Sequence, residues 1–317
     1  MKVYLGIDTS CYTTSVAVLD EAGRLVADQR RILTVKPGNC GLQQSEMVFQ
    51  HVRALPELVE AALQPEYEVQ AIGVSDRPRP LADSYMPAFL TGLGTARAMA
   101  KALQVPLLTE SHQENHLLAG LWSVGGIDSE RFLMLHASGG TTDMLLVERG
   151  ADRYHLTQIG GSKDLHAGQF IDRVGVALGL QFPTGIALEK LAQTVTEPVE
   201  LPVSVQGCEC SLSGPATAAK RLLDKGVDGA GLALGVESCL GKTFGKMLAN
   251  GAAQTGVQDV LLVGGVASNV YICQVAREIL AKKGVSLHNA AARYSCDCAV
   301  GNAFLALMRN AKCVMRN

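Results

Sequence analysis

The fold is decided by Val3-Tyr4-Leu5-Gly6-Ile7-Asp8 and by a second stretch of the same kind, Phe132-Leu133-Met134-Leu135-His136-Ala137. Each is an apolar run that predicts a strand, and each is followed by a polar turn and two further β-rich runs. The two copies begin about 130 residues apart, a spacing that indicates a duplicated fold with one such unit in each lobe.

The stretches between and after these units alternate between helical and strand patterns. Apolar periodicity predicts helices at 46–63, 86–103, 111–121, 169–178, 186–191, 214–223 and 232–254. Buried strands are expected at 71–75, 105–108 and 259–263, and residues 76–80 read as a turn into irregular chain. The pattern therefore predicts an α/β protein.

Composition excludes several classes of protein. The 317 residues are 48% hydrophobic and 18% charged, which excludes a disordered chain. Lysine and arginine number 28 against 30 acidic residues, so no general affinity for nucleic acid is expected and any nucleic-acid site must be local. No apolar run approaches the roughly 18 residues of a membrane span, and the first residues lead into a strand pattern. A soluble cytosolic protein is the expectation.

The nine cysteines do not form a disulfide or zinc pattern. Their count is odd and their spacing irregular, which favours reduced thiols. The pairs Cys208/Cys210 and Cys296/Cys298 lack the C-x₂-C spacing of common zinc sites. We expect these cysteines to act as small buried hydrophobic residues.

Three turns are suited to nucleotide binding. Ser138-Gly139-Gly140-Thr141-Thr142 lets backbone amides approach an anion without obstruction by Cβ atoms, although alone it also fits an ordinary hairpin. Asp8-Thr9-Ser10 occupies the matching corner of the first unit, and Gly264-Gly265 follows a buried strand. Together the three turns favour a nucleotide site. The chain contains no G-x-x-x-x-G-K-[ST] motif, which disfavours a P-loop enzyme.

A possible metal site begins at His112-Gln113-Glu114-Asn115-His116. Two imidazoles at i and i+4 share a helix face and suit a common ion, although a solvated polar face would have the same pattern. Glu114 lies roughly 200° around the helix from His112, which argues against a metalloprotease of the H-E-x-x-H type. Asp297 is one candidate third ligand among many carboxylates, and such a donor set accepts iron or zinc.

Taken in order, these motifs resemble the TsaD/Gcp family of tRNA threonylcarbamoyladenosine-modifying transferases, once labelled glycoproteases. The resemblance spans nearly the whole chain. It rests on Gly6-Ile7-Asp8-Thr9-Ser10-Cys11, the HxxxH helix, Ser138-Gly139-Gly140, residues 168–172, residues 183–185, Ser211-Leu212-Ser213-Gly214, residues 264–269 and Asp297.

The resemblance implies an actin-like (ASKHA) duplicated α/β fold with an active site between two lobes. On this basis residues 1–110 are expected to form the N-terminal lobe, with a C-terminal helix at 299–317 packing on it. Residues 111–298 are expected to form the C-terminal lobe with the metal and nucleotide contacts. The implied reaction is transfer of threonylcarbamoyl from its adenylate to the adenosine beside the anticodon of tRNA, with the assistance of partner proteins.

The resemblance also implies roles for particular residues. The expected ligands of a divalent metal ion, iron or zinc, are His112, His116 and Asp297. An adenine nucleotide or threonylcarbamoyl-adenylate is expected to contact Ala137, Ser138, Gly139, Gly140, Thr141, Asp172, Gly185, Gly264, Gly265 and Asn269. The candidate catalytic residues are Asp8, Ser10 and Thr13.

The chain departs from the family pattern around the reacting centre. Family members usually read Cys-Asp-Glu-Thr where this chain has Cys11-Tyr12-Thr13-Thr14, and Ser-Gly-Gly-His-Thr where it has Thr141 in place of the histidine. Asp-Asp-Ala-Ala-Gly-Glu becomes residues 164–169, a Gly-Pro-Gly loop becomes residues 76–80, and the lysine of Ser-Gly-Leu-Lys is absent at Ala216. These changes indicate a divergent paralogue.

The departures leave two other functions open. The protein could be a carbamoyl-type transferase or ATPase acting on another acceptor, or a non-catalytic nucleotide-binding partner of a true family member. The expected partners are tRNA and either a protein of the modification machinery or a second copy of the chain. Candidate tRNA contacts, each also explicable as solvated surface, are Arg30, Arg31, Arg77, Arg79, Arg309, Lys312 and Arg316.

Overall fold

The computed structural model describes residues 1–35 and 41–314, with side chains described up to residue 310. The chain divides into two compact units, Met1–Gly126 with Cys296–Asn317, and Ile127–Ser295. Cys40 and Arg316 lie outside the described residues, as do the side chains of Lys312 and Cys313.

Strands and helices alternate along both units. The first part of the chain forms β1 (Lys2–Asp8), β2 (Thr13–Asp20), β3 (Leu25–Ile32), α1 (Gln44–Ala62), β4 (Glu68–Arg77), α2 (Phe89–Leu103), β5 (Leu107–Ser111) and α3 (His112–Val124). The second unit forms β6 (Arg131–Ala137), β7 (Thr142–Arg149), β8 (Tyr154–Ser162), α4 (Ala167–Ala177), α5 (Gly185–Ala192), β9 (Ser204–Gln206), β10 (Glu209–Ser211), α6 (Ser213–Asp224), α7 (Gly229–Thr255), β11 (Asp259–Val263), a 3₁₀ turn at Gly265–Ser268, α8 (Val270–Ala281), β12 (Ser286–Asn289) and α9 (Ala292–Ser295). The chain then returns to the first unit as α10 (Val300–Val314).

The two sheets share one strand order, which confirms the predicted duplication. The first sheet runs β3-β2-β1-β4-β5, and the second contains β8-β7-β6-β11-β12. In each, three antiparallel strands precede two strands that pair in parallel. The second sheet is extended beyond β8 by the short strands β10 and β9, which the sequence patterns did not predict.

Both faces of the first sheet are covered. Helices α1 and α2 supply Leu55 and Ala96 to a core with Leu5 and Ile72 of the central strands. Helix α10 packs on β1 and β4 from within the same unit. This explains why β1 is apolar at nearly every position rather than alternating, since strands covered on both faces lose the alternation.

Helix α10 approaches the central strands at two glycines. A Cβ atom on Gly6 of β1 would overlap the carbonyl of Ala299, and a Cβ on Gly73 of β4 would overlap the carbonyl of Asn302. The backbone of the helix therefore lies directly against the sheet, at a distance that no larger residue permits. This close approach places the segment before α10 beside the start of α3.

In the second unit, helices α7 and α8 cover one face of the sheet. Phe244 and Met247 of α7 and Ile272 of α8 pack against Leu133 and Leu262 of the central strands. This core holds the carboxyl ends of β6 and β11 next to each other, because the two strands are parallel neighbours. The glycine-containing turns that follow these strands are consequently brought to one edge of the sheet.

Several boundaries differ from the sequence-based expectations. The first unit extends to Gly126 rather than to residue 110, because α3 packs on α10 and on the β4–β5 edge. The HxxxH helix therefore belongs to the first unit, not to the second. Strand β4 continues to Arg77, where a turn was expected, because its last residues still pair with β5.

The described cysteine side chains are all free thiols. No described helix is long and apolar enough to cross a membrane.

We predict that Gly73→Ala lowers the free energy of unfolding by about 1–3 kcal/mol, because the new methyl group forces α10 away from β4. Gly94→Ala is the matched control, since Gly94 lies in α2 with open space around it and alanine favours helices by roughly 0.5–1 kcal/mol. Urea denaturation of both variants measures the difference. Equal stability of Gly73→Ala and the wild type would contradict the close approach.

Candidate functional site

The first turn of α3 presents the two histidines. Ser111 is the N-cap, and its hydroxyl accepts a hydrogen bond from the Glu114 amide at 3.2 Å. Glu114 completes a capping box by accepting from the Ser111 amide at 2.8 Å. The carboxylate of Glu114 is thus engaged at the N-terminus of the helix. His112 and His116 follow on one face of successive turns.

His112, His116 and Asp297 converge within the first unit. The Nε2 atoms of the two histidines are 3.1 Å apart. Oδ1 of Asp297 lies 3.5 Å from Nε2 of His112 and 3.3 Å from Nε2 of His116. Among the described residues, no other group of three or more His, Cys, Asp or Glu side chains lies close enough to share an ion.

The donor set fits a divalent metal ion. A point equidistant from three atoms at these separations lies about 2 Å from each, which is the length of zinc–nitrogen and zinc–oxygen bonds. Three ligands on one side leave the other positions of an ion open for a substrate oxygen or water. The cysteines at 296 and 298 flank Asp297 in sequence but do not belong to the group.

Electrostatics in the site follow from burial and from the three partners. Burial opposes the charge on Asp297, but hydrogen bonds and positive charge from His112 and His116 hold the pKa of its carboxyl far below the usual range. Burial also opposes the charge on His112, yet Asp8 and Asp297 raise its pKa to about 10. Burial and the neighbouring His112 lower the pKa of His116. The carboxylate is therefore ionised and ready to bind a cation.

Asp8 supports His112 from the end of β1. The carboxylate is fully buried, and its Oδ1 lies 3.3 Å from Nδ1 of His112. The Ser10 hydroxyl donates to Oδ2 at 2.5 Å. A carboxylate on the outer nitrogen of a ligating histidine fixes the tautomer and the ring orientation. Of the three candidate catalytic residues, Asp8 and Ser10 therefore lie beside the candidate metal ligands.

The third candidate, Thr13, begins β2 on the far side of the same turn. Its amide donates to the Ser10 carbonyl at 3.1 Å and closes the turn. Cys11, at the tip, has a left-handed backbone with φ of 31°, an unfavourable conformation for a residue with a side chain. Thr13 thus contributes to the turn through its backbone amide.

His51 is a neighbour of this turn that the sequence patterns did not reveal. It lies on α1 with no solvent exposure, and its Nδ1 is 2.8 Å from the Thr14 hydroxyl. Burial lowers the pKa of the imidazole, so the ring is neutral. A lone histidine in an amphipathic helix carries no distinguishing signal, and only tertiary packing shows that it supports the strand after the turn.

In the second unit, the Ser138–Thr141 turn packs against other candidate nucleotide contacts. The Ser138 amide donates to the Thr141 carbonyl at 2.8 Å, and the Gly168 amide donates to the Ser138 carbonyl at 3.0 Å. Gly264 has φ of 101° and lies so close to Ala137 that a Cβ would overlap its carbonyl. The turns after β6 and β11 therefore meet at one sheet edge.

Asp172 and Gly185 are brought together by Thr184. The Asp172 carboxylate accepts hydrogen bonds from the Thr184 amide at 2.8 Å and from its hydroxyl at 3.1 Å. Burial raises the pKa of Asp172, and these bonds from Thr184 oppose the rise. The carboxylate is thus fixed beside the first turn of α5, where Gly185 lies.

Asn269 is held by two partners at the start of α8. Its Oδ1 caps the helix by accepting from the Ile272 amide at 2.8 Å, and its Nδ2 donates to Glu237 at 2.8 Å. Glu237 lies on α7 with 1% of its surface exposed. Burial raises the pKa of Glu237 to about 7, and the bond from Asn269 opposes the rise. Glu237 had no recognisable sequence signal, since it is one of several polar residues in α7, with Lys242 and Lys246 among the others.

Asp164 organises the Ser211-Leu212-Ser213 motif. Its carboxylate accepts from the Ser211 hydroxyl at 2.5 Å, from the Leu212 amide at 2.9 Å and from the Leu165 amide at 2.6 Å. Burial opposes its charge, but these donors hold the pKa of Asp164 far below the usual range. The acid therefore joins the loop before α4 to the loop before α6.

Several expected tRNA contacts are neutralised within the chain. Arg30 pairs with Asp28 at 2.8 Å, Arg31 with Glu57 at 2.7 Å and Arg77 with Asp76 at 2.6 Å. Arg30 is also largely buried. These pairs weaken the case for a phosphate contact at those three residues.

The two sheets of shared strand order define the actin-like fold class, and comparison with known proteins adds a family. The family model described as tRNA N6-adenosine threonylcarbamoyltransferase (TsaD) matches residues 44–304. The chain belongs to this family of transferases of tRNA threonylcarbamoyladenosine synthesis. Because the match covers most of the chain, the assignment applies to both units.

Individual relatives agree. The chain is 30% identical over 293 residues to the tRNA N6-adenosine threonylcarbamoyltransferase of Methanopyrus kandleri, covering 90% of this chain and 81% of that protein. It is 33% identical over 295 residues to the enzyme of that name from Thermus thermophilus, covering 90% of this chain and 85% of that protein. Component A of (R)-2-hydroxyglutaryl-CoA dehydratase from Acidaminococcus fermentans superposes with a TM-score of 0.58 over 98% of this chain and all of that one, at 16% identity. The last likeness confirms the actin-like fold.

We predict that Asp8→Asn weakens binding of Zn²⁺ by about 10–100-fold, because the charge that orients His112 is lost. Isothermal titration calorimetry on the metal-free protein measures the affinity. Asp20→Asn is the control, since Asp20 is a buried carboxylate that accepts from Ala22 and Arg24 in the β2–β3 turn. An unchanged affinity in Asp8→Asn would remove Asp8 from the site.

We predict that Glu237→Gln is stabilised relative to the wild type as pH rises. A carboxyl whose pKa is raised on folding contributes stability below its unfolded pKa and loses it as pH rises through about 7. The variant should gain about 1–2 kcal/mol on the wild type between pH 5 and 8.5, after allowance for solvent screening. Urea denaturation at both pH values measures the gain, with the exposed Glu278→Gln as control. A pH-independent difference would contradict this account.

Proposed function

We propose that this protein transfers the threonylcarbamoyl group of threonylcarbamoyl-adenylate to the adenosine next to the anticodon of tRNA. The observation that carries the proposal is the convergence of His112, His116 and Asp297 within 3.5 Å of one another in a member of the TsaD family. A tRNA substrate also implies that the protein acts in the cytoplasm.

In this proposal His112, His116 and Asp297 hold a divalent ion, iron or zinc. When bound, the ion supplies Lewis-acid polarisation of the carbonyl group that is transferred. Asp8 keeps His112 in the tautomer that directs Nε2 towards the ion, and Ser10 fixes Asp8. These groups are buried, so their hydrogen bonds are formed before substrate arrives and need no reorganisation.

The turns of the second unit hold the adenylate in this proposal. Gly139 and Gly140 expose backbone amides at the β6–β7 corner, where a phosphate can approach without meeting a Cβ atom. Asp172 and Asn269 are rigidly bonded to their neighbours, which suits them to orient a ribose and a base. Binding the leaving group in a fixed orientation raises the effective concentration of the reacting carbonyl.

A second candidate is a related carbamoyl-type transfer to another acceptor. It is motivated by Tyr12, Thr13 and Thr141, which stand where family members usually carry two acids and a histidine. Tyr12 and Thr13 lie at the Asp8 turn and Thr141 lies at the β6–β7 corner, so the substitutions are next to the proposed metal ligands and phosphate contacts. The proposed metal and nucleotide contacts are common to both candidates.

Complementation tests the tRNA role. A strain depleted of its own TsaD, supplied with this gene, should regain threonylcarbamoyladenosine in hydrolysed tRNA measured by mass spectrometry. Asp297→Ala should reduce the modification at least 100-fold, because it removes one of three ligands of the proposed ion. Asp259→Asn is a control, since that carboxylate bonds Ser129 and His288 in the second unit. No restored modification by the folded wild-type protein would reject the tRNA substrate.

A reaction with purified components separates the two candidates. Threonylcarbamoyl-adenylate is supplied with tRNA, and in a parallel reaction with other amine-bearing acceptors but no tRNA. Release of AMP coupled to product on tRNA supports the first candidate. Product only on another acceptor supports the second.

A further inference from the structure

Asp297 must reach His112 and His116 from a distant part of the sequence. It lies in the short segment between α9 and α10, while both histidines lie on α3. Segment 296–299 lies outside the helices and strands. Arg30 of β3 donates to the Asp297 carbonyl at 3.3 Å, and a contact with α3 is needed to join the segment to the two histidines.

The side chain of Asn115 makes that contact. Its Nδ2 donates to the carbonyl of Cys298 at 2.7 Å, and its Oδ1 accepts from the amide of Asn302 at 2.9 Å. Asn115 is 1% exposed and lies on α3 directly before His116. One amide thus joins the helix of the two histidines to both ends of the turn that follows Asp297.

The hydrogen bond from the Asn302 amide to Asn115 also lies in the first turn of α10. The first amides of a helix have no intrahelical acceptor, and Asn302 is the third residue of α10. The Ala303 amide is the first to bond within the helix start, to Ala299. Asn115 therefore caps α10 from a neighbouring helix, and the position of the helix start is coupled to α3.

Asn302 anchors the same helix start to the sheet. It is fully buried, and its Nδ2 donates to the carbonyl of Ile7 at 2.7 Å and lies 3.0 Å from the Ser75 hydroxyl. Gly301 allows the helices to meet closely, because a Cβ there would overlap the backbone carbonyl of Asn115. The helix start is thus fixed from the strand side as well as from α3.

We propose that Asn115 is the positioning residue that brings Asp297 to the two histidines, acting through the Cys298 carbonyl and the Asn302 amide rather than as a ligand. The donor atoms are only 3.1–3.5 Å apart, so a shift of the segment by about 1 Å would open the triangle beyond metal-bonding reach. This inference rests on the metal site of the proposed function, but it makes no use of the tRNA reaction.

Zn²⁺ titration of the full-length, metal-free chain tests the inference. Asn115→Ala should weaken Zn²⁺ binding by about 10–100-fold, as is usual for outer-shell changes. Removal of Asp297 should abolish the effect. In an Asp297→Ala background, the Asn115→Ala substitution should change the residual affinity by less than about twofold, because the carboxylate through which it acts is absent.

Two further variants separate positioning from a loss of stability. Leu118→Ala creates a buried cavity on the same helix and should lower the melting temperature without changing Zn²⁺ affinity. Asn115→Ser is the milder substitution, to be used if Asn115→Ala does not fold. Its hydroxyl is too short to bridge both partners, so weakened binding is again expected.

Three outcomes would overturn the inference. Wild-type affinity in folded Asn115→Ala or Asn115→Ser would show that the segment is positioned without Asn115. An equal loss with and without Asp297 would show that Asn115 acts elsewhere. A wild-type chain that binds no Zn²⁺ would overturn this inference together with the proposed metal site. The tRNA reaction is tested separately, by the complementation assay.

Discussion

The first unit depends on the backbone contact between α10 and the strands β1 and β4. Gly6 and Gly73 permit it, and Asn302 satisfies the polar groups that it buries. Without glycine at these positions the helix could not lie close enough for Asn302 to reach the Ile7 carbonyl. Because the segment with Asp297 leads directly into this helix, the same contact fixes the end of that segment, which Asn115 joins to α3. Core packing and the chemistry of the site are therefore consequences of one steric condition.

Buried polar groups in the site are satisfied by one another rather than by solvent. Asp8 bonds Ser10 and lies beside His112, while Asn115 and Asn302 bond backbone atoms of neighbouring elements. A buried charge or amide left alone would cost several kcal/mol, so each member requires the others. This mutual dependence keeps the donors in place before any ion or substrate arrives. Single substitutions in the network are therefore expected to lower stability as well as to weaken binding of the proposed ion.

The two units share one architecture but carry different candidate site residues. Each begins with three antiparallel strands and a polar first turn, yet the first turn carries the acid Asp8 and the second carries two glycines. The first unit contains the histidine–carboxylate group, and the second contains the turns at Ser138 and Gly264. One corner of the shared architecture is therefore suited to supporting a cation, and the other to approaching an anion. Such a division arises from side-chain changes on a common backbone.

Periodicity and turn chemistry were sufficient to predict most of the strands, the duplication and the HxxxH helix, because these depend on neighbouring residues, whereas the short strands β9, β10 and β12 were missed. The choice of Asp297 came from a family resemblance, since spacing alone does not favour one distant carboxylate over another. His51, Glu237 and the bonds of Asn115 escaped notice because a polar residue in a helix has the same local pattern whether it faces solvent or a buried partner. The boundary after Gly126 was missed for a related reason, as α3 joins the first unit mainly through α10, which is encoded about 180 residues later, and also contacts β4 and β5. Secondary structure is thus determined by short stretches of the sequence. The meeting of Asp297 with His112 and His116 is determined only by the tertiary structure, because packing of distant elements brings these side chains together.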